Sequence, residues 1–185
     1  ATPMQLAWWR FRKHKLAMAS AVVLLLFYLS ALLAPFLAVA EPTDGEAQRS
    51  LMPPMAIHWF DESGFNPHVF AMKGARDPKT FKRVFVADLE KKYALRFFAD
   101  GFDYKLFWFI PTNIHLLGLE EANASETLFL LGTDVQGRDV YSRLLFATQI
   151  SMSIGLVGVT VSLILGVVLG GISGYFGGII DTVIQ

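Results

Sequence analysis

The chain has 185 residues, of which 54% are hydrophobic, with 16 basic and 16 acidic side chains and no cysteine. A soluble domain is about 45 to 50% apolar with about a quarter of its residues charged, so this chain carries an apolar excess. That excess lies in 25 uncharged residues between Lys15 and Glu41 and in 37 between Arg143 and Asp181. Each run exceeds the roughly 20 residues that a helix needs to cross a bilayer. We therefore expect an α-helical integral membrane protein, and exclude an ordinary soluble enzyme or a nucleic-acid-binding domain.

The charge distribution predicts the orientation in the membrane. The charges before Glu41 are all positive: Arg10, Arg12, Lys13 and Lys15. Segment 41–143 has 12 basic and 15 acidic residues, a balance of 12 − 15 = −3. Because short basic flanks stay on the cytoplasmic side, we expect the N-terminus inside and residues 41–140 outside. Without cysteine, the exported part is not a disulfide scaffold.

The two apolar runs predict the following division of the chain, in order: a cytoplasmic segment 1–15, transmembrane helix 16–40, an extracytoplasmic insert with an amphipathic lead-in 41–143, transmembrane helix 144–176, and a cytoplasmic turn with the start of a third helix 177–185. Trp8 and Trp9 among basic residues suit a membrane-interface anchor, with a disordered tail as the alternative. The first run is too long for the roughly 7 to 15 apolar residues of a signal peptide, so we expect a retained helix.

The insert is predicted to be mixed, with loops at first and regular structure after Asp77. Asp77 and Pro78 suit the first positions of a short amphipathic helix that would carry Phe81, Val84, Phe85 and Leu89. A strand over 84–86 is the alternative. Further along, residues 93–98 and 104–109 are aromatic-rich runs on either side of Ala99-Asp100-Gly101-Phe102-Asp103, which predicts a β-hairpin with its turn at 99–103.

The aromatic density of residues 93–109 has two interpretations. Eight of these 17 residues are aromatic. We favour a small satellite core on the membrane surface, where tyrosine and tryptophan keep their polar ends wet. The alternative is a platform for a ligand or an external protein.

A stripe of small residues follows in the second apolar run. Its members recur at every fourth position: Gly158, Ser162, Gly166, Gly170, Gly174 and Gly178. Such spacing lets helix backbones approach closely in lipid, so we predict a helix that packs against other helices. The glycines at 171, 177 and 178 are instead expected to form a turn, with Asp181 beginning the next element.

A polar segment, residues 131–143, lies directly ahead of this second run. Thr133 and Asp134 suit capping or turn positions, Gly137 gives the backbone freedom, and Asp139 stands at ion-pair spacing from Arg143. The segment resembles the LGTDxxGRDxxSR signature of binding-protein-dependent ABC importer permeases of the dipeptide, oligopeptide and nickel class. The matching residues are Leu131, Gly132, Thr133, Asp134, Gly137, Arg138, Asp139, Ser142 and Arg143.

Other features extend the resemblance over most of the chain, as the N-terminal part of a C-type subunit. The basic lead with the first span, residues 92–98 and 111–118, and the glycine-rich turn at 174–181 are all similar to such permeases. The usual GxRxSL continuation is changed, since Ala147 replaces its glycine and Gln149 its arginine. The family's ATPase-docking EAA loop does not occur in these 185 residues, and we expect a fragment of a longer chain.

The resemblance implies a permease subunit that takes up peptides or similar solutes in a bacterial cytoplasmic membrane. Its implied partners are a homologous permease, ABC ATPase subunits, a solute-binding protein and the bilayer, with no nucleic acid. A membrane-anchored extracytoplasmic sensor with two spans is the alternative.

No catalytic residue, cofactor or metal site is predicted. The chain has no P-loop, so ATP hydrolysis would belong to partner subunits. His14, His58, His68 and His115 are scattered and expected to be solvated. The carboxylate pairs at 61–62 and 120–121 are expected on the surface, and the Asn123-Ala124-Ser125 glycosylation pattern is attributed to chance.

Overall fold

The computed structural model describes residues 2–62, 64–79, 83–120 and 126–184, except for the side chains of residues 179 and 180. These residues form two compact units, Ala1–Gln149 and Ile150–Gln185. Two helices, Lys15–Leu32 and Val140–Phe176, are long and apolar enough to cross a membrane. This confirms helices of membrane-spanning character. The predicted limits of the spans and the side of each segment stay predictions.

The first unit begins with three helices: α1 (Pro3–Lys13), α2 (Lys15–Leu32) and α3 (Ala34–Leu37). The His14 Nδ1 atom accepts a hydrogen bond of 3.1 Å from the Ala17 amide and so caps the start of α2. Pro35 has no amide hydrogen for the carbonyl of Ala31, which explains why α2 stops before it and a separate short helix follows. The first apolar run is therefore broken at Leu33 rather than one continuous helix.

A four-stranded antiparallel sheet follows, in the order β1 (His58–Asp61), β2 (Gly64–Arg76), β3 (Arg83–Leu106) and β4 (Ile110–Leu119). Strand β3 is long enough to have two partners. Its residues 83–94 pair with β2, and its residues 95–106 pair with β4. A hydrophobic core lies between the sheet and the segments that flank it, and its buried members are Met52, Met55, Val69, Leu119, Leu128 and Phe129.

The sheet corrects two predictions. The helix predicted after Asp77 is wrong, because residues 83–89 belong to β3; Phe81 lies outside the described residues. Residues 84–86 carry β-branched and aromatic side chains that suit a strand, which was the alternative. Much of the segment predicted as loops, residues 64–76, is strand β2.

A β-hairpin is present, but its turn is not at 99–103. Strands β3 and β4 are joined at residues 107–109, and Asp100 lies inside β3, where the pairing with β4 is irregular. Gly101 is needed in that irregular stretch, since a Cβ atom there would lie 2.4 Å from Cδ2 of His115. The Asp-Gly pair thus makes room for a buried side chain instead of reversing the chain.

Helix α4 (Val140–Phe176) contains the second apolar run, and α5 (Gly178–Ile184) follows it. At 1.5 Å per residue, the 37 residues of α4 extend about 55 Å, more than the roughly 30 Å of a hydrocarbon core. Gly177 separates the two helices with φ +57°. Ser173 Oγ donates a hydrogen bond to Asp181 Oδ1 and links the two helices of this second unit.

Candidate functional site

Residues 131–143, here called the signature turn, form a closed loop that ends in the first turn of α4. The Val140 amide donates to the Gly132 carbonyl at 3.1 Å, and the Thr133 and Asp139 backbones form an antiparallel bridge. Asp139 Oδ2 accepts a hydrogen bond of 2.7 Å from the Ser142 amide and caps the start of α4. The loop therefore fixes where and in which direction α4 begins.

Asp134 is the centre of the loop's hydrogen bonding. Its Oδ1 atom accepts from the backbone amides of Gln136 and Arg138 at 2.8 and 3.0 Å. Its Oδ2 atom accepts from Nε and Nη2 of Arg138 at 3.0 and 2.9 Å, and from Nη1 of Arg143. One carboxylate thus holds two arginines and two amides of the same loop, and both of its oxygens are satisfied.

The predicted ion pair between Asp139 and Arg143 is wrong. Arg143 pairs with Asp134 instead, while Asp139 is only 1% exposed and caps the helix. Its Oδ1 atom is buried and has no hydrogen-bond partner among the described residues. Helical spacing predicted the pair, but Asp139 precedes the helix, where a short carboxylate side chain bonds the free amides of the first turn.

The two carboxylates have opposite electrostatic environments. Burial works to raise the pKa of Asp134, but the hydrogen bonds from Arg138 and Gln136 together lower that pKa below its usual range. For Asp139, burial is the largest effect and raises the pKa, although hydrogen bonds from Ser142 oppose it. The turn therefore stabilises the charged form of Asp134 and destabilises the charged form of Asp139.

Ser142 ties the signature turn to the segment that follows the first helices. Its side chain is fully buried, and its Oγ atom accepts hydrogen bonds from the amides of Val39 and Ala40 at 3.0 and 3.1 Å. The serine thereby satisfies backbone donors that come just after α3. This connection joins the first turn of α4 to the end of the first apolar run.

Thr133 makes a second tie, to residues 49–52. Its amide donates to the Met52 carbonyl at 3.0 Å, and the Met52 amide donates back to Thr133 Oγ1 at 2.8 Å. The Thr133 hydroxyl also donates to the Arg49 carbonyl, and the Leu51 amide donates to the Asp134 carbonyl at 3.0 Å. The turn and residues 49–52 are thus bonded backbone to backbone.

Both glycines of the turn are required by this close approach. Gly132 and Gly137 have φ values of +75° and +76°, a region that other residues rarely adopt. A Cβ atom at 132 would lie 2.4 Å from the Met52 carbonyl oxygen, and one at 137 would lie 1.9 Å from that of Glu46. The predicted backbone freedom at Gly137 is confirmed, with the approach of another segment as an additional reason for glycine.

His115 forms a contact that the sequence did not predict. It is 2% exposed, so the prediction that it is solvated is wrong. Its Nδ1 atom lies 2.9 Å from the Pro35 carbonyl oxygen, and its Nε2 atom lies 3.0 Å from that of Phe102. Carbonyls only accept, so both contacts are hydrogen bonds when both ring nitrogens carry hydrogen. His115 thus joins β4 and β3 to α3. In the sequence, only the density of aromatic residues nearby indicated that this region is packed.

Comparison with known proteins shows which proteins the chain is similar to. Residues 2–54 match the family described as the N-terminal TM domain of oligopeptide transport permease C. The chain is 27% identical over 183 residues to the dipeptide transport system permease protein DppC of Haemophilus influenzae, covering 99% of this chain and 40% of the relative. These matches support an ABC importer permease of the peptide and nickel class.

Two further permeases are similar to this chain. DppC of Bacillus subtilis is 24% identical over 179 residues, covering 97% of this chain and 34% of the relative. The nickel transport system permease protein NikC of Escherichia coli is 36% identical over 75 residues, covering 40% of this chain and 27% of the relative. The chain spans two fifths or less of the length of these relatives. No solved structure matches it.

The small-residue stripe on α4 has open space beside it among the described residues. At positions 158, 166, 170 and 174, a Cβ atom would have no described atom within 4 Å, apart from the helix's own backbone and the chain neighbours. Ser162 is exposed as well. The packing of this stripe against other helices stays a prediction.

Two side chains that were predicted to lie on the surface or in solvent, Asp61 and His68, make specific contacts. Asp61 accepts a salt bridge of 3.0 Å from Lys92, which lowers its pKa, so this carboxylate is not merely solvated. His68 is 4% exposed and stacks on His58, which corrects the prediction that it is solvated. In the described part of this chain, no group of three or more His, Cys, Asp or Glu is placed to hold a metal ion. The Asn123 pattern lies outside that part.

Proposed function

We propose that the chain is the N-terminal part of a C-type permease subunit that imports peptides or similar small solutes in an ABC transporter. The relatives named for dipeptide and nickel transport support a solute of this kind. A bacterial cytoplasmic membrane is the corresponding location, with the N-terminus inside and residues 41–140 outside.

The signature turn is the observation that carries this proposal. Through Ser142 and Thr133 it bonds the start of α4 to residues 39–52, which include the end of the first apolar run and the residues after it. A transporter that alternates between two states moves packed groups of helices as rigid bodies, so its helices need fixed junctions. The turn would keep the outer ends of the first two spans together while the spans move as a unit.

The same proposal assigns the stripe on α4 to contact with other membrane helices. Glycine and serine let helix backbones come close, and nothing in the described chain fills that space. A homologous permease subunit and later spans of this subunit would be the neighbours. ABC ATPase subunits would bind on the cytoplasmic side and a solute-binding protein would bind outside.

Uptake measurements test the proposed function. Deleting the full-length gene should abolish the initial rate of uptake of a labelled dipeptide, oligopeptide or nickel ion, and re-expression should restore that rate. The matched control restores the gene together with an inactive ATPase subunit, which should not recover uptake. A two-span sensor would leave the initial rate unchanged in cells already grown with the solute, and that result would reject the permease.

Cysteine labelling tests the orientation. The chain has no cysteine, so single cysteines can be introduced and treated with an impermeant thiol reagent in intact cells. Ser50 is a poor position because its hydroxyl donates to the Val135 carbonyl at 2.7 Å, whereas Gln48 and Lys91 are exposed. Labelling at Gln48→Cys and Lys91→Cys but not at Thr2→Cys is expected. Labelling at Thr2→Cys alone would reverse the orientation.

A further inference from the structure

We propose that the turn between β3 and β4, residues 107–109, inserts into the outer leaflet of the bilayer beside the two spans. We call these residues the hairpin tip. The inference rests on the membrane placement in the proposed function but does not depend on solute import.

The tip presents large apolar side chains that the sheet does not cover. Trp108 and Phe109 are 74% and 73% exposed. The backbone closes the turn, since the amides of Trp108 and Phe109 each donate at 3.3 Å to the carbonyls of Lys105 and Leu106. Phe107 and Trp108 have φ values of +52° and +67°, where bulky residues are uncommon. Folding of the turn therefore leaves the rings of Trp108 and Phe109 largely exposed, although Phe109 also lies 6.4 Å from the Phe107 ring, centroid to centroid.

The tip lies against the ends of both apolar helices. It lines a cavity of about 210 Å³ that it shares with Leu32 and Pro35 near the end of α2 and with Phe146 and Gln149 near the start of α4. Leu32 is the last residue of α2, and Phe146 is in the second turn of α4. The tip is therefore at the same height as the helix ends that would face the outside.

The position of the hairpin tip level with the helix ends favours contact with lipid over contact with a soluble partner. The 18 residues of α2 extend about 27 Å, close to the roughly 30 Å of hydrocarbon, so Leu32 would lie at the outer boundary of the hydrocarbon. Tryptophan is enriched at that boundary because its ring is apolar and its indole N–H can remain among headgroups. Lys105, beside the tip and exposed, can extend its amine toward lipid phosphates. A binding protein arriving from the water would have to displace lipid to reach a turn at this depth.

Fluorescence quenching in the assembled, full-length complex tests the inference. Trp108→Cys, labelled with an environment-sensitive fluorophore in phosphatidylcholine nanodiscs, should lose most of its emission to lipids that carry a nitroxide near the headgroup. It should be protected from aqueous iodide. The matched control is Lys91→Cys on β3, the strand that leads to the tip, and it should show the reverse pattern. Phe109→Cys serves as a second labelling position in case Trp108→Cys lowers the amount of complex.

Two outcomes would overturn the inference. Iodide quenching at 108 equal to that at 91 would place the tip in water, and protection from both quenchers would show that a protein covers it. If neither labelled variant assembles, Trp108→Leu and Trp108→Asp decide: only the charged variant should reduce the complex recovered from membranes, and equal recovery of both would refute lipid insertion. If the labelled tip is quenched by lipid in a complex that imports no solute, the proposed function is refuted, whereas the inference about lipid insertion is supported.

Discussion

Glycines of the signature turn and glycines of helix α4 have opposite surroundings. A Cβ atom at Gly132 or Gly137 would collide with a backbone carbonyl of residues 46–52, and both residues have positive φ. At Gly158, Gly166 and Gly170, a Cβ atom would have open space around it in the described chain. The fold of this chain therefore requires glycine in the signature turn, whereas the described fold does not require glycine on α4.

The difference separates two uses of small residues. In the turn, glycine permits one segment of the chain to approach another, and the hydrogen bonds of Thr133 and Ser142 depend on that approach. On α4, glycine lowers helix propensity by about 1 kcal/mol per residue relative to alanine in water, and the described part of this chain has no contact beside these glycines that compensates for it. That cost is compensated only when another helix lies against the stripe, as we propose for the assembled transporter.

Replacing Gly137 by alanine should give the largest effect. The left-handed backbone costs a non-glycine residue about 1 to 2 kcal/mol. The added Cβ atom would also lie 1.9 Å from the Glu46 carbonyl oxygen, so the turn must open. We expect a total loss of at least about 3 kcal/mol and little assembled complex in membranes. Gly155→Ala, on α4 but outside the stripe and with open space for a Cβ atom, is the matched control and should assemble like the parent. Equal amounts of complex for both variants would contradict the comparison.

Replacing Asp134 by alanine should be the next most harmful change. The substitution leaves Arg138 and Arg143 without their carboxylate and two amides without an acceptor. Hydrogen bonds to charged groups contribute about 1.5 to 3 kcal/mol each where they are shielded, and the side chain is partly exposed, so we expect a loss of roughly 2 to 3 kcal/mol. Thermal unfolding of the purified complex measures it, with exposed Asp103→Ala as control. An unchanged melting temperature would show that the carboxylate does not stabilise the turn.

Replacing Gly170 by leucine should affect the folding of the chain less than the two previous changes and should act mainly on the assembly of the chain with its partners. The leucine has open space within the described chain, so α4 itself should form normally. It would separate helix backbones that must touch, at a typical overpacking cost of about 1 to 3 kcal/mol. Copurification of partner subunits with the tagged permease measures the loss, and Val167→Leu is the control. Full copurification and uptake by Gly170→Leu would mean that the stripe faces lipid.

Rules based on residues close together in the sequence, such as apolar runs and turn-forming glycines, correctly predicted the elements that depend on sequence neighbours. The apolar runs gave the two long helices, and the glycine at 137 gave a turn with positive φ. Contacts between distant segments were not predictable from spacing: Ser142 bonds Val39 across 103 positions, and His115 contacts Pro35 across 80. Nothing in a single sequence specifies which amides a buried hydroxyl will satisfy.

The hairpin and the ion pair show why local rules also misled. Asp-Gly is a strong turn signal, yet tertiary contacts outweighed it, because Gly101 is required where His115 packs against β3. Spacing of four residues predicted a pair between Asp139 and Arg143, yet Asp139 precedes α4 and its carboxylate caps the helix. In both cases the residue type was informative, but its role was decided by a segment distant in sequence.

Replacing Asp139 by asparagine should give the smallest effect at neutral pH and a distinct dependence on pH. The asparagine oxygen can still accept from the Ser142 amide, and the change removes a buried charge whose Oδ1 atom has no described hydrogen-bond partner. We expect a change within about 1 kcal/mol, of either sign. Asp139→Ala is the contrasting variant, since it removes the cap and should cost about 1 kcal/mol.

The pH dependence follows from the raised pKa of Asp139. Because the folded state holds this proton more tightly than the unfolded state, the contribution of Asp139 to stability is greatest below the ordinary aspartate pKa and falls as pH rises through the folded pKa. Asp134 has a lowered pKa, so its contribution instead rises with pH and is lost as pH falls through the folded pKa. From about pH 4 up to the raised folded pKa, stability should therefore fall less with increasing pH in Asp139→Asn than in the parent. The test is the melting temperature of the parent and of Asp139→Asn as a function of pH. If the two melting temperatures change in parallel over that range, the buried carboxylate does not bind its proton more tightly in the folded state than in the unfolded state.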